Sequence, residues 1–199
     1  MEPMSDFLKR VFQNLPQTPP SDYYFKIWNV SGKITSEALG ILPVPGVEPE
    51  KLVACVMDVD HYVGNINYVA ESRSISDGRY VQPKQVRFYQ QVKIPLLGAV
   101  HQEIVLTDGG TIQGWRVVYW EMLDKETQAL SPKVAIRNQY SDGAWVVKPN
   151  LVGYTLSTAP RREDVGFLKW QALTKGADVG ASSVIKGNIE AMSRWAARS

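Results

Sequence analysis

Hydrophobic residues along the chain repeat with two different periods, and the changes of period divide it into segments. Near the N-terminus, apolar residues at positions 7, 8, 11, 12 and 15 follow helical spacing, with Ser5 and Asp6 before them and Pro16 after them. A serine or aspartate before such a run and a proline after it are typical of helix ends. The pattern predicts a short amphipathic helix that ends at Pro16.

The next segment mixes extended and helical patterns. Residues 23–42 predict two short extended pieces, because hydrophobic and β-branched residues are interrupted at Ser31 and Gly32. The proline-rich stretch LPVPGVEPE then excludes a regular element. After Pro49, a broad apolar stripe with helical spacing predicts one broken helix or two short ones, since Gly64 weakens its end.

From Tyr80 to Thr158 the period changes to two, which predicts strands. DGG at 108–110 and SDG at 141–143 have the composition of hairpin turns. The sequence therefore predicts an antiparallel meander of these runs: VRFYQQVKI, AVHQEIVL, IQGWRVVYWEML, KVAIRNQY, AWVVKP and LVGYTLST.

The last 36 residues return to helical spacing. One apolar face of this predicted long C-terminal helix comprises Ala181, Val184, Ile185, Ile189, Met192, Trp195 and Ala196. The predicted fold class is α+β, with helices packed on one side of an antiparallel sheet. A length of 199 residues favours one domain over two, and no linker interrupts it.

Composition and charge exclude several classes of protein. Hydrophobic residues make up 44% of the chain and the net charge is +2, with basic residues scattered along it, so we expect a globular protein and no nucleic-acid partner. The single cysteine, Cys55, cannot form an internal disulfide, and no segment resembles a signal peptide or a membrane span. We therefore expect a soluble protein in a reducing compartment, the cytoplasm.

Candidate catalytic groups are few. His101 and Glu103 lie two apart on a predicted strand, so their side chains share a face, but about 6 to 7 Å at the backbone is long for direct orientation. We favour a polar, solvent-facing side of the sheet over a catalytic pair. The other histidine, His61, has no metal-ligand spacing around it, and Cys55 in its apolar run is typical of a structural thiol. We expect neither a metal site nor a cofactor.

Polar residues on apolar strand faces are the more informative anomaly. Gln90 shares its face with Val92 and other apolar residues, and Arg116 shares its face with Trp120. Arg137 lies on a strand beside the second predicted turn. A buried charge must be paired or must face a ligand or water. Gln90 and Arg116 are therefore candidates to anchor the polar head of a ligand, although a twisted sheet can also leave such side chains partly in water.

Five stretches together resemble the START-related family of hydrophobic-ligand-binding proteins, which have a helix-grip fold. VIKGNIEAM resembles the closing helix of that family, and KVAIRNQYSDGAWVVKP resembles its hairpin of apolar-Arg, turn and Gly-aromatic-apolar-Pro. LVGYTLSTAP is similar to its next strand, IPLLGAVHQEIVL to its Gly-Pro-Arg-Asp segment, and VMDVDHYVGNI to its helical segment. The resemblance implies a curved antiparallel sheet wrapped around the C-terminal helix. It divides the chain into an N-terminal helix and loop, 1–22, and a single START-like domain, 23–199.

Departures from the family pattern leave the polarity of the ligand open. Ala99 to Gln102 replace the Arg-Asp pair, and Gln90 and Gln91 stand where lipid-carrying members often have a buried carboxylate. VGFLKWQAL replaces the usual turn before the last helix, and glycines 166, 176 and 180 near its start are candidate hinges.

The resemblance implies non-covalent binding, and transfer, of a lipid, sterol or other hydrophobic molecule between sheet and helix, with transient membrane contact. The alternative is a cyclase or hydrolase-like enzyme on the same fold, for which His101, Arg116 and Tyr119 are the residues to test. The expected ligand-binding residues are Gln90, Val92, Arg116, Trp120, Arg137, Tyr154, Ile185, Ile189, Met192 and Trp195.

Overall fold

The computed structural model describes residues 4–94, 98–131 and 135–199, and for 172–179 it describes the backbone only. The helices of this part of the chain are α1 (Asp6–Asn14), α2 (Pro49–Met57), α3 (Asp124–Gln128), α4 (Arg162–Val165) and α5 (Phe167–Ala196). The strands are β1 (Tyr24–Trp28), β2 (Glu37–Pro43), β3 (Val69–Ser74), β4 (Gln85–Ile94), β5 (Gly98–Ile112), β6 (Trp115–Met122), β7 (Ile136–Lys148) and β8 (Leu151–Pro160).

The strands form one sheet in the order β1-β2-β8-β7-β6-β5-β4-β3. Neighbours are antiparallel, and β5 and β7 add a short parallel contact at two residue pairs. The chain runs through β3 to β8 as a meander, and β2 then adds to the free side of β8. The sequence prediction of an antiparallel meander is therefore confirmed, but the runs KVAIRNQY and AWVVKP belong to the single strand β7, and β3 was not predicted.

Both predicted hairpin turns are wrong. β5 continues through DGG with a register shift between Asp108 and Gly110, and the chain reverses instead at Gln113 and Gly114, which both have positive φ. β7 continues through SDG because it pairs with β6 on one side and with β8 on the other. Hydrogen bonding on both sides overrides the turn propensity of a short Asp-Gly segment. The Pro-Leu-Leu part of the predicted bend, 95–97, lies outside the described residues.

α5 is a single helix that lies against β2 and β8 and also contacts α2. It begins directly after Gly166, whose φ of 77° is in the left-handed region, so the predicted hinge positions 176 and 180 lie inside the helix and not before it. The face of the sheet towards α5, here called the inner face, includes Phe88, Ile104 and Trp120, which form one core with α2 and α5. The described helices include none that is both long and apolar enough to span a bilayer.

α1 packs on the opposite side of the sheet, here called the outer face. Its Leu8 and Val11 are buried against strand residues that include Leu39 and Ile41. Ser5 caps this helix by accepting a hydrogen bond from the Leu8 amide at 3.3 Å, which confirms the predicted start. The sheet is thus covered by helices on both faces, whereas the sequence predicted helices on one side only.

A buried carboxylate fixes α1 to the outer face. The Glu37 side chain is fully buried and accepts hydrogen bonds from Arg10 Nε at 2.9 Å, Arg10 Nη2 at 2.7 Å and Trp28 Nε1 at 2.9 Å, with Lys33 Nζ at 3.0 Å. Burial alone would raise the pKa of Glu37, but these hydrogen bonds together lower it below its ordinary value. Glu37 is therefore ionised and paired in the folded protein.

Candidate functional site

The inner face changes character along the strands. At one end, here called the packed end, Leu106, Val118, Val147 and Val152 are at most 2% exposed and form part of the core with α2 and α5. The other end, here called the polar end, carries Val92, Gln102, Met122, Asn138 and Thr158. Because side chains alternate between the faces of a sheet, these positions follow from the register of the pairing.

Accessible surface remains on the inner face toward the polar end. Along β8, the inner-face residues Tyr154, Leu156 and Thr158 are partly accessible, whereas the outer-face residues between them are buried. Val92 of β4 and Met122 of β6 are also partly accessible. This pattern is the reverse of that expected for the side of a sheet that a helix covers completely.

Three neutral side chains form a hydrogen-bonded row at the polar end. Gln102 Nε2 donates to Gln90 Oε1 at 3.0 Å, and Asn138 Nδ2 donates to Gln102 Oε1 at 2.6 Å. The three residues are 8%, 7% and 5% exposed and come from β4, β5 and β7. The row therefore links three strands of the sheet without carrying any charge.

A second neutral group lies where α5 meets β8. Asn188 is 8% exposed and lies between apolar residues of the helix, with its side chain beside the Tyr154 phenol. Burial raises the pKa of Tyr154 well above its ordinary value, and the neighbouring Asn188 side chain only partly offsets this shift, so the phenol is neutral at physiological pH. The Tyr154 ring lies 5.5 Å from that of Trp120 and 4.5 Å from that of Trp145, measured between ring centroids.

Most of the ligand-binding residues predicted from the sequence lie on the two surfaces that face each other. Gln90, Val92, Trp120 and Tyr154 are on the inner face, and Ile185, Ile189 and Met192 are on the opposing side of α5, where they are fully buried. Trp195 is near the end of the helix and packs edge-on against Tyr62 at 6.2 Å, in the same core.

The two predicted arginines are engaged elsewhere. At the packed end, Arg116 donates to Asp108 through Nη1 at 2.8 Å and to Glu50 through Nε at 2.6 Å, and its hydrogen bonds to Asp108 and to Glu50 raise its pKa. Arg137 forms a bidentate pair with Asp164 of α4, through Nε at 2.8 Å and Nη2 at 2.6 Å. The structure therefore brings neither guanidinium together with Gln90 and Tyr154.

His101 and Glu103 lie on the outer face. His101 is only 6% exposed and hydrogen-bonds Tyr89 and Gln91, so the prediction of a solvent-facing histidine is wrong. The cause is the packing of the Tyr89 ring against the imidazole, at 5.7 Å between centroids. Glu103 pairs with Arg87, so the two residues predicted as a possible catalytic pair have separate partners.

Three residues of the site were not named as candidates in the sequence: Gln102, Asn138 and Asn188. Gln102 is on the same strand face as Ile104 and Leu106, which is the signal that identified Gln90. Asn188 lies between Ile185 and Ile189 in the helical sequence, within the turn that presents the apolar face. A search of the sequence for polar residues on apolar faces would therefore have identified Gln102 and Asn188, but not Asn138.

Comparisons with known proteins identify the fold. No family model matches the chain, and no curated protein matches its sequence. A STAR-related lipid transfer protein fragment from Xanthomonas axonopodis matches with a TM-score of 0.68 and 15% identity, over 90% of this chain and 96% of that one. Human STARD10 matches with a TM-score of 0.69 and 12% identity, over 96% of this chain and 80% of that one.

An aromatase/cyclase, Zhui from a Streptomyces species, matches with a TM-score of 0.51 and 13% identity, over 88% of this chain and 95% of that one. The chain therefore has an α+β helix-grip fold of the START-related kind, as its sequence motifs predicted. Lipid transfer proteins and an aromatase/cyclase share this fold, so the fold alone does not assign an activity.

Proposed function

We propose that this protein binds a hydrophobic small molecule, a lipid, sterol or similar compound, in a cavity between the inner face and α5, and transfers it. The observation that carries the proposal is the partly accessible inner face at Tyr154, Leu156 and Thr158, in a region that a long helix covers. Ligand sites are concave and mostly apolar with a few polar groups, and this combination fits that description.

The binding energy in this proposal comes from apolar surface. A ligand that loses about 200 Å² of apolar surface to water gains about 5 kcal/mol at ~25 cal/mol per Å². The rings of Trp120, Trp145 and Tyr154 and the side chain of Leu156 would provide much of the contact. The neutral polar groups would then fix the orientation of the ligand and contribute less to its affinity.

The start of α5 is a candidate membrane contact. Phe167 is 48% exposed and Leu168 is 79% exposed, which is unusual for large apolar residues beside each other. Arg162 lies over the Phe167 ring at 4.7 Å, and Lys169 is exposed, so basic and apolar groups are adjacent there. Such a combination favours the surface of an anionic membrane. A contact there would place the lipid surface next to the first turn of α5.

Catalysis is less well supported than binding. The residues to test for a cyclase or hydrolase were His101, Arg116 and Tyr119. His101 and Tyr119 lie on outer-face strand positions, and Arg116 is bound by two carboxylates at the packed end. A shared acid-base site on the inner face would need these groups to converge. With a single buried cysteine, the cytoplasm remains our prediction for the location.

A substitution that fills the proposed cavity should abolish ligand binding. The test is native mass spectrometry of the purified protein, followed by solvent extraction and lipid analysis of what it carries. Leu156→Trp adds volume on the inner face, and we expect loss of the co-purified molecule. Lys26→Trp adds the same side chain at an exposed position on the edge strand and serves as the control. An empty wild-type protein that also takes up no added lipid would refute the proposal.

Transfer has its own test. We expect Phe167→Ser with Leu168→Ser to slow transfer of a fluorescent lipid between vesicles that contain phosphatidylserine, without lowering equilibrium binding of that lipid. Val81→Ser removes another exposed apolar residue, which is 64% exposed and lies in a different loop, and should leave the rate unchanged. Equal transfer rates for the double variant and the wild type would refute the start of α5 as the membrane contact, and an absence of transfer by the wild type would leave only binding.

A further inference from the structure

The inner face of the sheet is uncharged where a ligand would lie. Its polar residues toward the polar end are amides and hydroxyls: Gln90, Gln102, Asn138, Ser141, Tyr154 and Thr158. Among the described inner-face strand positions, charge is confined to Asp108 and Arg116 at the packed end, where they bind each other. The cation nearest in sequence to the row of amides, Arg137, is paired with Asp164.

One buried acceptor has no donor. The Asn188 Oδ1 atom is inaccessible and makes no hydrogen bond among the described residues. Buried polar atoms are nearly always paired, because an unpaired one loses its hydrogen bonds to water without compensation. This carbonyl oxygen can only accept, so a partner for it must bring an O–H or N–H group.

We propose that the site selects an uncharged apolar ligand with a hydroxyl or equivalent donor group, which donates to Asn188 Oδ1, and that it rejects carboxylates and phosphates. The inference rests on the proposed function, since it names the class of ligand for the same cavity. The donor group would lie between α5 and β8, beside Tyr154, and the apolar body would extend along the inner face.

An anionic ligand fits this arrangement poorly. A buried carboxylate or phosphate needs a cation or several aligned donors, and burial without them is strongly unfavourable. Arg116 on the inner face and Arg137 beside Asn138 already have carboxylate partners, so their charge is balanced before any ligand binds. The neutral phenol of Tyr154 and the neutral amides can donate to or accept from a hydroxyl group without moving a proton.

The test uses ligands that differ at a single group. Displacement of the fluorescent probe diphenylhexatriene would be measured with hexadecanol, hexadecanoate and hexadecane, and with cholesterol, cholesterol sulfate and cholestene. We expect the alcohol to bind roughly three- to tenfold more tightly than the matched hydrocarbon, the effect of one net hydrogen bond. We expect the anion of each set to bind more weakly than its alcohol.

Asn188→Leu should remove the preference for the alcohol while keeping the affinity for the hydrocarbon. Thr155→Val is the matched control, because Thr155 Oγ1 is another buried atom without a partner but lies on the outer face of β8. Asn188→Asp, which keeps the shape, is a second variant in case leucine disturbs the packing; its acid group should weaken binding of hexadecanoate further. Thermal unfolding confirms that each variant is folded.

The outcomes separate the two proposals. Binding of the anion as tightly as the alcohol, or a preference for the alcohol that survives in Asn188→Leu, overturns the inference about ligand class and leaves the binding function intact. The second result would mean that water satisfies Asn188. A failure of diphenylhexatriene and all six ligands to bind overturns the proposed function, and the inference with it.

Discussion

Replacement of Gly40 by alanine tests how closely α5 is held against the sheet. A Cβ atom at this position in β2 would lie 2.4 Å from Ile185 Cγ2 of α5 and 2.7 Å from the Tyr23 hydroxyl oxygen. Non-bonded carbon atoms prefer about 3.5 to 4.0 Å, so the overlap with Ile185 exceeds ~1 Å. Either the helix or the strand must move, and we expect Gly40→Ala to lower the free energy of unfolding by about 1 to 3 kcal/mol.

A double-mutant cycle identifies the cause. Ile185→Ala alone should cost about 2 to 5 kcal/mol, because this side chain is fully buried in the core. In the double variant the new methyl group at position 40 enters the space that Ile185 leaves. We therefore expect the combined loss to be smaller than the sum by about 0.5 to 2 kcal/mol, and the contact with Tyr23 limits the recovery.

Urea denaturation followed by tryptophan fluorescence measures these free energies, provided that the m-value is unchanged. Gly78→Ala is the control, because no atom lies within 4 Å of its added Cβ. Additive losses within ~0.5 kcal/mol would refute direct contact between these two positions as the reason for glycine at position 40. If α5 also encloses a ligand, Gly40→Ala should lower the amount of co-purified molecule.

Two further predictions concern buried ion pairs. Glu37→Gln should destabilise the protein by about 2 to 4 kcal/mol at pH 7, since a neutral amide replaces the buried carboxylate that pairs with Arg10 and Lys33. The pKa of Glu37 is lower in the folded protein than its ordinary value near 4.5. The stability difference between wild type and variant is therefore fully present above pH 4.5 and should shrink as the pH falls towards the folded pKa. A constant difference in urea titrations down to about pH 3 would contradict this prediction. Asp164→Asn should lower the free energy of unfolding by about 3 to 5 kcal/mol, because it leaves the mostly buried Arg137 without its bidentate partner. Asp22→Asn, at an exposed position, is the control. A shift in melting temperature no larger than that of the control would contradict the prediction.

Local sequence signals predicted the ends of α1 and the division of the segment after Pro49 well. Ser5 and Pro16 bound α1 through capping and through the missing amide of proline, which are effects of adjacent residues. The segment after Pro49 forms α2 and a separate short 3-10 turn at Val59–His61, one of the two forms expected for it. The turn predictions failed at Asp142 because β7 has hydrogen-bonded neighbours on both sides, which a local pattern does not contain.

The same distinction applies to the candidate site. Alternation along β4 placed Gln90 correctly on an apolar face, because the period of a strand fixes which side chains share a side. The sequence around Arg116 and Arg137 did not indicate these carboxylate partners, because Glu50 is 66 positions from Arg116 and Asp164 is 27 positions from Arg137. Long-range pairing therefore turned two expected ligand anchors into structural ion pairs.

By itself, the sequence determined the succession of an N-terminal helix, two short strands, a helix after Pro49, a strand meander and a long C-terminal helix, together with the apolar face of α5 and the resemblance to the helix-grip fold. Hydrophobic period and capping depend on residues a few positions apart, so these features can be read along the chain. Only the tertiary structure decided that the outer face holds His101, that Asn188 lies beside Tyr154 and that the described strand residues at the polar end of the inner face are uncharged. These features depend on contacts between residues that are far apart in the sequence. Sheet register and ion pairing decide those contacts, and neither can be read from a local pattern.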